Sequence, residues 1–266
     1  QPEHQIFIDG LRPLGTKTQT ALYSIYVFVD TAQQIASEKD ADKALADLVE
    51  FKRQTLDALE HGKSMNPVIS SFAKTIHMYG IDEECVTELF KSLNMQITND
   101  TYNVREYKAY IRGVGEAVGV MVLQVLCYKR AVLAHKLTPA ARALGAAICK
   151  VILVQTHGET HKKHGRMHFP DVTKNTFNQA RLAQVLVDIE GDFRVARTGI
   201  PSLPHGTRTA VALVYVYYYE LLRQNHQLSP PEIDAGKAKI TPAKKALLAA
   251  RTLAAPMSAL ERGKLA

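Results

Sequence analysis

The chain has 266 residues, of which 46% are hydrophobic and 22% charged, so it can bury a sizeable core and is not expected to be disordered. Its net charge of +7 favours acidic partners such as phosphates or an anionic membrane surface. No run of lysines and arginines alternates with aromatic residues as in known nucleic-acid modules, so no nucleic-acid partner is predicted.

The cysteines and the apolar runs indicate a cytoplasmic protein. Cys85, Cys127 and Cys149 are odd in number and far apart, which fits neither a disulfide framework nor a metal-ligand cluster. The longest apolar runs, such as VGVMVLQVLCY at residues 118–128, are shorter than a membrane-spanning helix requires. We therefore expect a cytoplasmic location, with peripheral contact to a membrane as an open alternative.

Apolar residues recur at helical spacing along nearly the whole chain, and no alternating pattern is long enough to predict a strand. In the first predicted helix, at residues 19–37, Leu22, Ile25 and Val29 form one stripe. Further helices are predicted, in chain order, at residues 41–62, 66–80, 82–97, 104–129, 138–165, 176–199 and 206–225. The fold prediction is an all-α, single-domain bundle over residues 1–227.

Residues 228–266 form a second predicted unit. They begin with Pro230–Pro231 and continue as a basic segment rich in proline and alanine. We interpret this segment as an appendage of the helical domain, which either docks as a helix or stays loose.

Two of the predicted helices carry polar residues among apolar ones. Side chains three or four residues apart share one face of a helix, so these polar residues are expected to point the same way within each helix. They are Asp30, Gln33, Gln34 and Ser37 in the first helix, and Thr156 and Thr160 in the helix at residues 138–165.

Histidines are concentrated in QTHGETHKKHGRMHFP, residues 155–170. His157 and His161 are four residues apart and can share a zinc ion, with His164, His168 or Asp30 as a third ligand. The alternative is a solvated basic helix end whose cations complement the helix dipole. We prefer the second interpretation, because Glu159 does not stand where the zinc-protease motif places its glutamate.

The framework of the chain resembles the squalene/phytoene synthases, all-helical enzymes that join two prenyl diphosphates. Residues 25–37, IYVFVDTAQQIAS, fit the family's Y-x-F-x-R-x-x-D-[DE]-x-V-D without a gap. Residues 152–170, ILVQTHGETHKKHGRMHFP, fit N-x-x-R-D-x-x-x-D followed by G-R-x-Y-x-P, and residues 106–121, EYKAYIRGVGEAVGVM, are similar to a third family stretch. The resemblance covers roughly residues 4–226 and implies an isoprenoid-synthase bundle around a central apolar cavity.

The departures from these motifs fall where the family carries charge. Its motif aspartates hold Mg²⁺, a hard cation that prefers carboxylates and neutralises the departing pyrophosphate. The resemblance therefore implies no Mg²⁺ cofactor here unless the parental activity survives. The aspartate positions carry Gln33, Gln34, Ser37, Thr156 and Thr160, the motif arginines are replaced by Asp30 and Gln155, a tyrosine is replaced by His168, and Arg166 is kept.

Three functional hypotheses follow. The leading one is a repurposed or redesigned scaffold that binds an isoprenoid or another elongated apolar ligand and lacks Mg²⁺-dependent coupling. Its ligand-binding residues are Gln33, Gln34, Ser37, Thr156, Thr160, Arg166 and His168. The second is an active prenyltransferase in which Lys162, Lys163, Arg166 and the histidines clamp the diphosphate. The third is a new acid–base or zinc-dependent activity built on Asp30, His157 and His161.

Overall fold

The apolar stripes of the sequence fold into helices that pack around a shared hydrophobic core. The computed structural model describes residues 9–170 and 177–262. Its α-helices, in chain order, are α1 (Thr16–Ala36), α2 (Ala41–His61), α3 (Pro67–Tyr79), α4 (Glu84–Thr98), α5 (Val104–Ile111), α6 (Val118–Leu126), α7 (Ala131–His164), α8 (Gln179–Gly199), α9 (His205–Asn225), α10 (Pro230–Asp234), α11 (Pro242–Ala254) and α12 (Pro256–Arg262). A π-helical turn at Arg112–Ala117 joins α5 to α6, and a 3-10 turn at Ile200–Ser202 precedes α9. Within the described ranges there is no strand, so the all-α, single-domain prediction is confirmed.

Local signals set several helix boundaries. The Asn66 side chain accepts hydrogen bonds from the first turn of α3, which has Pro67 at its first position. Gly62 ends α2 in the left-handed region, with φ at 73°. The long helix α7 differs from its prediction, because it begins at Ala131 and contains Pro139. Its early turns pack against the end of α8, where Leu137 is buried, and this contact outweighs the backbone hydrogen bond that proline cannot make.

Phe28 of α1 lies at the centre of the first four helices. Its ring stacks on Phe72 of α3 at 3.7 Å between centroids and on Phe51 of α2 at 5.2 Å. It also meets the edge of Phe90 of α4 at 6.2 Å. These contacts fix α1 within the bundle and therefore fix the direction in which its polar face points.

The π-helical turn and α6 lie in backbone contact with α7. A Cβ atom built on Gly145 would stand 2.2 Å from the carbonyl oxygen of Gly115, and one built on Gly119 would stand 2.3 Å from that of Ala141. No larger residue fits at these positions unless the helices move apart. This contact fixes the distance between α6 and α7.

The C-terminal segment is docked and not loose as far as residue 262. The α10 helix lies on α7, where a Cβ atom on Gly158 would stand 2.4 Å from the carbonyl oxygen of Asp234. Helices α11 and α12 pack on α9, and the Tyr217 hydroxyl donates a hydrogen bond to the Lys245 carbonyl. The proposed division of the chain at residue 227 stays a prediction.

Two helical stretches, Val104–Leu126 and Ala131–His164, are long and apolar enough to cross a membrane by length and composition, which the sequence analysis did not anticipate. Core helices of a globular domain pass the same test. Both stretches pack against several other helices in the bundle.

Candidate functional site

The C-terminal ends of α1 and α7 lie at the same end of the bundle, where a chain of side chains connects them. The Gln96 amide of α4 donates to the Ser37 hydroxyl at 3.3 Å and accepts from the Tyr110 hydroxyl at 2.9 Å. The Tyr110 ring lies 5.4 Å from the His168 ring, which also stacks on Tyr102 at 5.8 Å. We call the bundle end that these residues mark the polar end.

Arg166 and His168 are buried at the polar end. Arg166 is only 6% exposed, and its guanidinium donates to the Ile97 carbonyl at 3.4 Å. Among residues 9–170 and 177–262, no carboxylate lies within ion-pair distance of Arg166. Burial and the nearby Arg166 charge lower the pKa of His168 to about 4, so this imidazole is neutral at neutral pH.

Further cations surround His164, the last residue of α7. Burial lowers the pKa of His164, and the charges of Arg166, Lys163 and Lys39 lower it further. Lys39 follows the end of α1, so cations from both helix ends converge here. The polar end therefore has a positive potential that favours an anion.

The polar residues of α1 differ in their contacts. The Gln34 amide donates to the Asp30 carboxylate at 2.7 Å within the exposed part of the helix. Gln33 is half-buried, and its side chain makes no hydrogen bond to another described residue. Asp30 is therefore engaged by its own helix, and no described contact joins it to His157 or His161.

The two threonines of α7 also differ. The Thr156 hydroxyl donates to the Ile152 carbonyl at 2.9 Å, one turn earlier in the helix. Thr160 is half-buried and has no hydrogen-bonding partner among the described residues. Gln155 turns the other way and donates to Asn225 of α9 at 3.0 Å.

His157 packs inside the protein and is not solvated. It is 5% exposed, its Nδ1 lies 2.7 Å from the Asp234 carboxylate of α10, and its ring stacks on Phe177 at 4.0 Å. In the described part of the chain, no three histidine, cysteine or acidic side chains stand close enough to share a metal ion. His157, His161 and His164 therefore do not form a zinc ligand set in this conformation.

Half-buried apolar side chains lead away from the polar end along α7. Ile152 and Ile148 precede Thr156 at four-residue steps on one face of the helix. Cys149, beside them, keeps part of its surface accessible, although burial raises the pKa of its thiol to about 12. Together these side chains form a half-buried apolar stripe next to the polar end.

A separate cleft of about 530 Å³ opens at the opposite end of the bundle. Glu88 and Arg142 lie in it, with Tyr79 and Tyr128 among its other lining residues. Its charged lining distinguishes it from the apolar cavity that the resemblance implies.

Sequence reasoning did not single out Gln96, Tyr110 or Asp234. Tyr110 could have been identified from the sequence, because it is the tyrosine of the family stretch at residues 106–121. Gln96 and Asp234 belong to no recognised motif, and only the packing of α4 and α10 brings them to Ser37 and His157.

The fold and the polar end together define a helical bundle of the isoprenoid-synthase class. The sequence model described as "Squalene/phytoene synthase" matches residues 10–244. The chain therefore belongs to the squalene/phytoene synthase family. No curated protein matches the chain at a significant level.

Solved structures with the same fold are only distantly related in sequence. A dehydrosqualene synthase in complex with ligand is similar with a TM-score of 0.79 and 19% identity, over 96% of this chain and 92% of that one. Squalene synthase HpnC from Alicyclobacillus acidocaldarius has a TM-score of 0.69 and 16% identity, over 83% and 89%. YisP from Bacillus subtilis subsp. subtilis strain 168 has a TM-score of 0.65 and 17% identity, over 92% and 90%. At these identities the likeness establishes the fold alone.

Proposed function

We propose that this protein binds an isoprenoid or another elongated apolar ligand within its bundle and does not perform Mg²⁺-dependent coupling of two prenyl diphosphates. The ligand's polar group lies at the polar end and its chain follows α7 past Ile152 and Ile148. The observation that carries the proposal is that neutral side chains, Gln33, Ser37, Thr156 and Thr160, stand at the family's metal-binding positions, within a framework that this chain otherwise retains.

The side chains in the family's metal-binding register do not fit Mg²⁺. Ser37 accepts a hydrogen bond from Gln96, and the Thr156 hydroxyl is used by the Ile152 carbonyl. Gln33 and Thr160 offer neutral oxygens, whereas Mg²⁺ in proteins is usually held by carboxylates together with substrate phosphate.

The same arrangement suits a ligand with a hydroxyl or another small polar group. Because Gln96 donates to Ser37, the Ser37 hydroxyl hydrogen is left to donate to a ligand. Gln33 and Thr160 can each donate and accept without giving up a contact to another described residue. An apolar stripe with a few convergent polar groups is the usual composition of a small-molecule site.

A second candidate is a diphosphate clamp made of cations, which would support prenyl transfer. The convergence of Arg166, Lys163 and Lys39 around His164 favours it. Buried guanidinium groups bind phosphate oxygens well. The two candidates differ in the headgroup that they require.

Calorimetric titration with farnesol and with farnesyl diphosphate, in the absence of Mg²⁺, separates them. We expect farnesol to bind, and Ile152→Phe to weaken that binding about ten-fold by filling the path along α7. The control Val187→Phe lies on the exposed face of α8 and should leave the affinity unchanged. The clamp would be favoured if the protein bound farnesyl diphosphate but not farnesol, and if this binding were lost in Arg166→Gln and restored in Arg166→Lys.

A second experiment tests the absence of coupling activity. Pyrophosphate release from farnesyl and geranylgeranyl diphosphate is measured with and without Mg²⁺, and the products are extracted for mass analysis. We expect no coupled hydrocarbon from the natural chain, and a gain of Mg²⁺ binding when Gln33, Ser37, Thr156 and Thr160 are all replaced by aspartate. A coupled product from the unmodified chain would refute the proposal.

A further inference from the structure

Helix α11 turns part of its apolar surface outward. Leu247 and Leu253 are 42% and 56% exposed. Four alanines share the exposed surface with them, and one arginine, Arg251, joins the set. We call this surface the α11 face; its members are Ala243, Ala246, Leu247, Ala250, Arg251, Leu253 and Ala254.

The opposite side of α11 is mixed, because Leu248 and Ala249 pack against the core beside two lysines. Lys244 lies 3.7 Å from the Glu220 carboxylate of α9, and the Lys245 ammonium lies 5.9 Å from the centre of the Tyr217 ring. Thr252 is fully buried. A helix docked on a globular core usually exposes a polar face, so the two outward leucines of α11 form an apolar surface that the core does not cover.

The positive charge of the chain is concentrated around the same helix. Residues 235–260 contain five lysines and arginines and no acidic residue, so they supply +5 of the net charge of +7. Lys239 and Arg251 are exposed, and neither is paired with a carboxylate in the described part of the chain. The family match ends at residue 244, so most of α11 lies outside what the family explains.

These features select one occupant for the α11 face. A second copy of the chain would bring two +5 segments together, which like-charge repulsion opposes. An anionic lipid surface attracts the same cations and accepts shallow insertion of the leucines and alanines. We propose that α11 docks the protein on anionic membrane surfaces through the α11 face, with Lys239 and Arg251 at the lipid headgroups.

Membrane docking through α11 does not depend on what the bundle binds. Docking through this helix also orients the protein, because α11 packs on α9 and therefore presents the same side of the bundle to the lipid.

Tryptophan fluorescence offers a direct test, because the chain contains no tryptophan. Leu247→Trp places a single reporter on the α11 face, and Met65→Trp places one at a fully exposed position before α3. With vesicles of phosphatidylcholine and phosphatidylglycerol, we expect a blue shift and quenching by brominated lipid for Leu247→Trp only. Phosphatidylcholine alone should give much less of either signal.

Charge variants complete the test by vesicle co-sedimentation. Replacing Lys239 and Arg251 by glutamine should lower partitioning by roughly five-fold for each charge removed. Replacing Lys74 and Lys91, exposed on α3 and α4, removes the same net charge and should have little effect. The proposal would be overturned if both pairs of variants lost the same amount of vesicle binding. It would also be overturned if the fluorescence of Leu247→Trp shifted at high protein concentration without any lipid. The second result would identify the face as a contact between copies.

Discussion

Replacing Gly145 by alanine tests whether the contact between α6 and α7 is as close as the backbone geometry requires. The new Cβ atom would lie 2.2 Å from the Gly115 carbonyl oxygen and 3.2 Å from the Gly119 Cα. Both neighbours are backbone atoms, so no side-chain rotation relieves the overlap. The two helices must separate, or the π-helical turn must shift.

The expected magnitude combines two opposing effects. Alanine is favoured over glycine within a helix by about 1 kcal/mol. Overpacking against rigid backbone costs about 3 kcal/mol. The net loss of about 2 kcal/mol corresponds to a fall in the melting temperature of about 4–8 °C for a chain of this size.

Gly191 is the matched control, because it also lies inside a helix and a Cβ atom there would meet nothing within 4 Å. Gly191→Ala should therefore raise the melting temperature by about 2–4 °C. Both variants are followed by circular dichroism during heating. If Gly145→Ala melts at or above the temperature of the natural chain, the two helices have more room than the geometry allows and the reasoning fails.

Three further predictions concern buried polar groups. Burial lowers the pKa of His168 to about 4 in the folded chain, so below pH ~6.5 the unfolded chain takes up a proton that the folded chain does not, and the folded state loses stability. His168→Phe should remove roughly 2–3 kcal/mol of this acid destabilisation, measured by urea unfolding at pH ~4. Gln96→Leu leaves the buried Tyr110 hydroxyl without its partner and should lower the free energy of unfolding by about 1–3 kcal/mol. The double variant with Tyr110→Phe should recover part of this loss, and strictly additive effects of the two substitutions would contradict the hydrogen bond. Lys150→Met removes the cation 2.8 Å from Asp192 and should cost about 3 kcal/mol at neutral pH. Because burial raises the pKa of Asp192, the deficit should shrink as the pH falls and that carboxylate takes up a proton. A deficit that does not change with pH would argue against an unpaired charge.

The sequence determined the fold class and the identity of the polar end. Apolar spacing and caps such as Asn66–Pro67 are local signals, and they placed most helices correctly. Apolar spacing and caps depend on geometry within a single helix and not on the rest of the protein. The resemblance to the squalene/phytoene synthases, and not helix geometry, brought Ser37 and Arg166 into one hypothesis, because Ser37 follows α1 and Arg166 follows α7.

Tertiary structure decided how those residues are engaged. Whether His157 is a ligand, a solvated cation or a buried partner depends on Asp234, which is 77 residues away along the chain. Whether Ser37 is free depends on Gln96, and the orientation of α11 depends on where Glu220 and Tyr217 stand. Helical periodicity tells which side chains share a face, but only the packing of distant helices decides which face is buried.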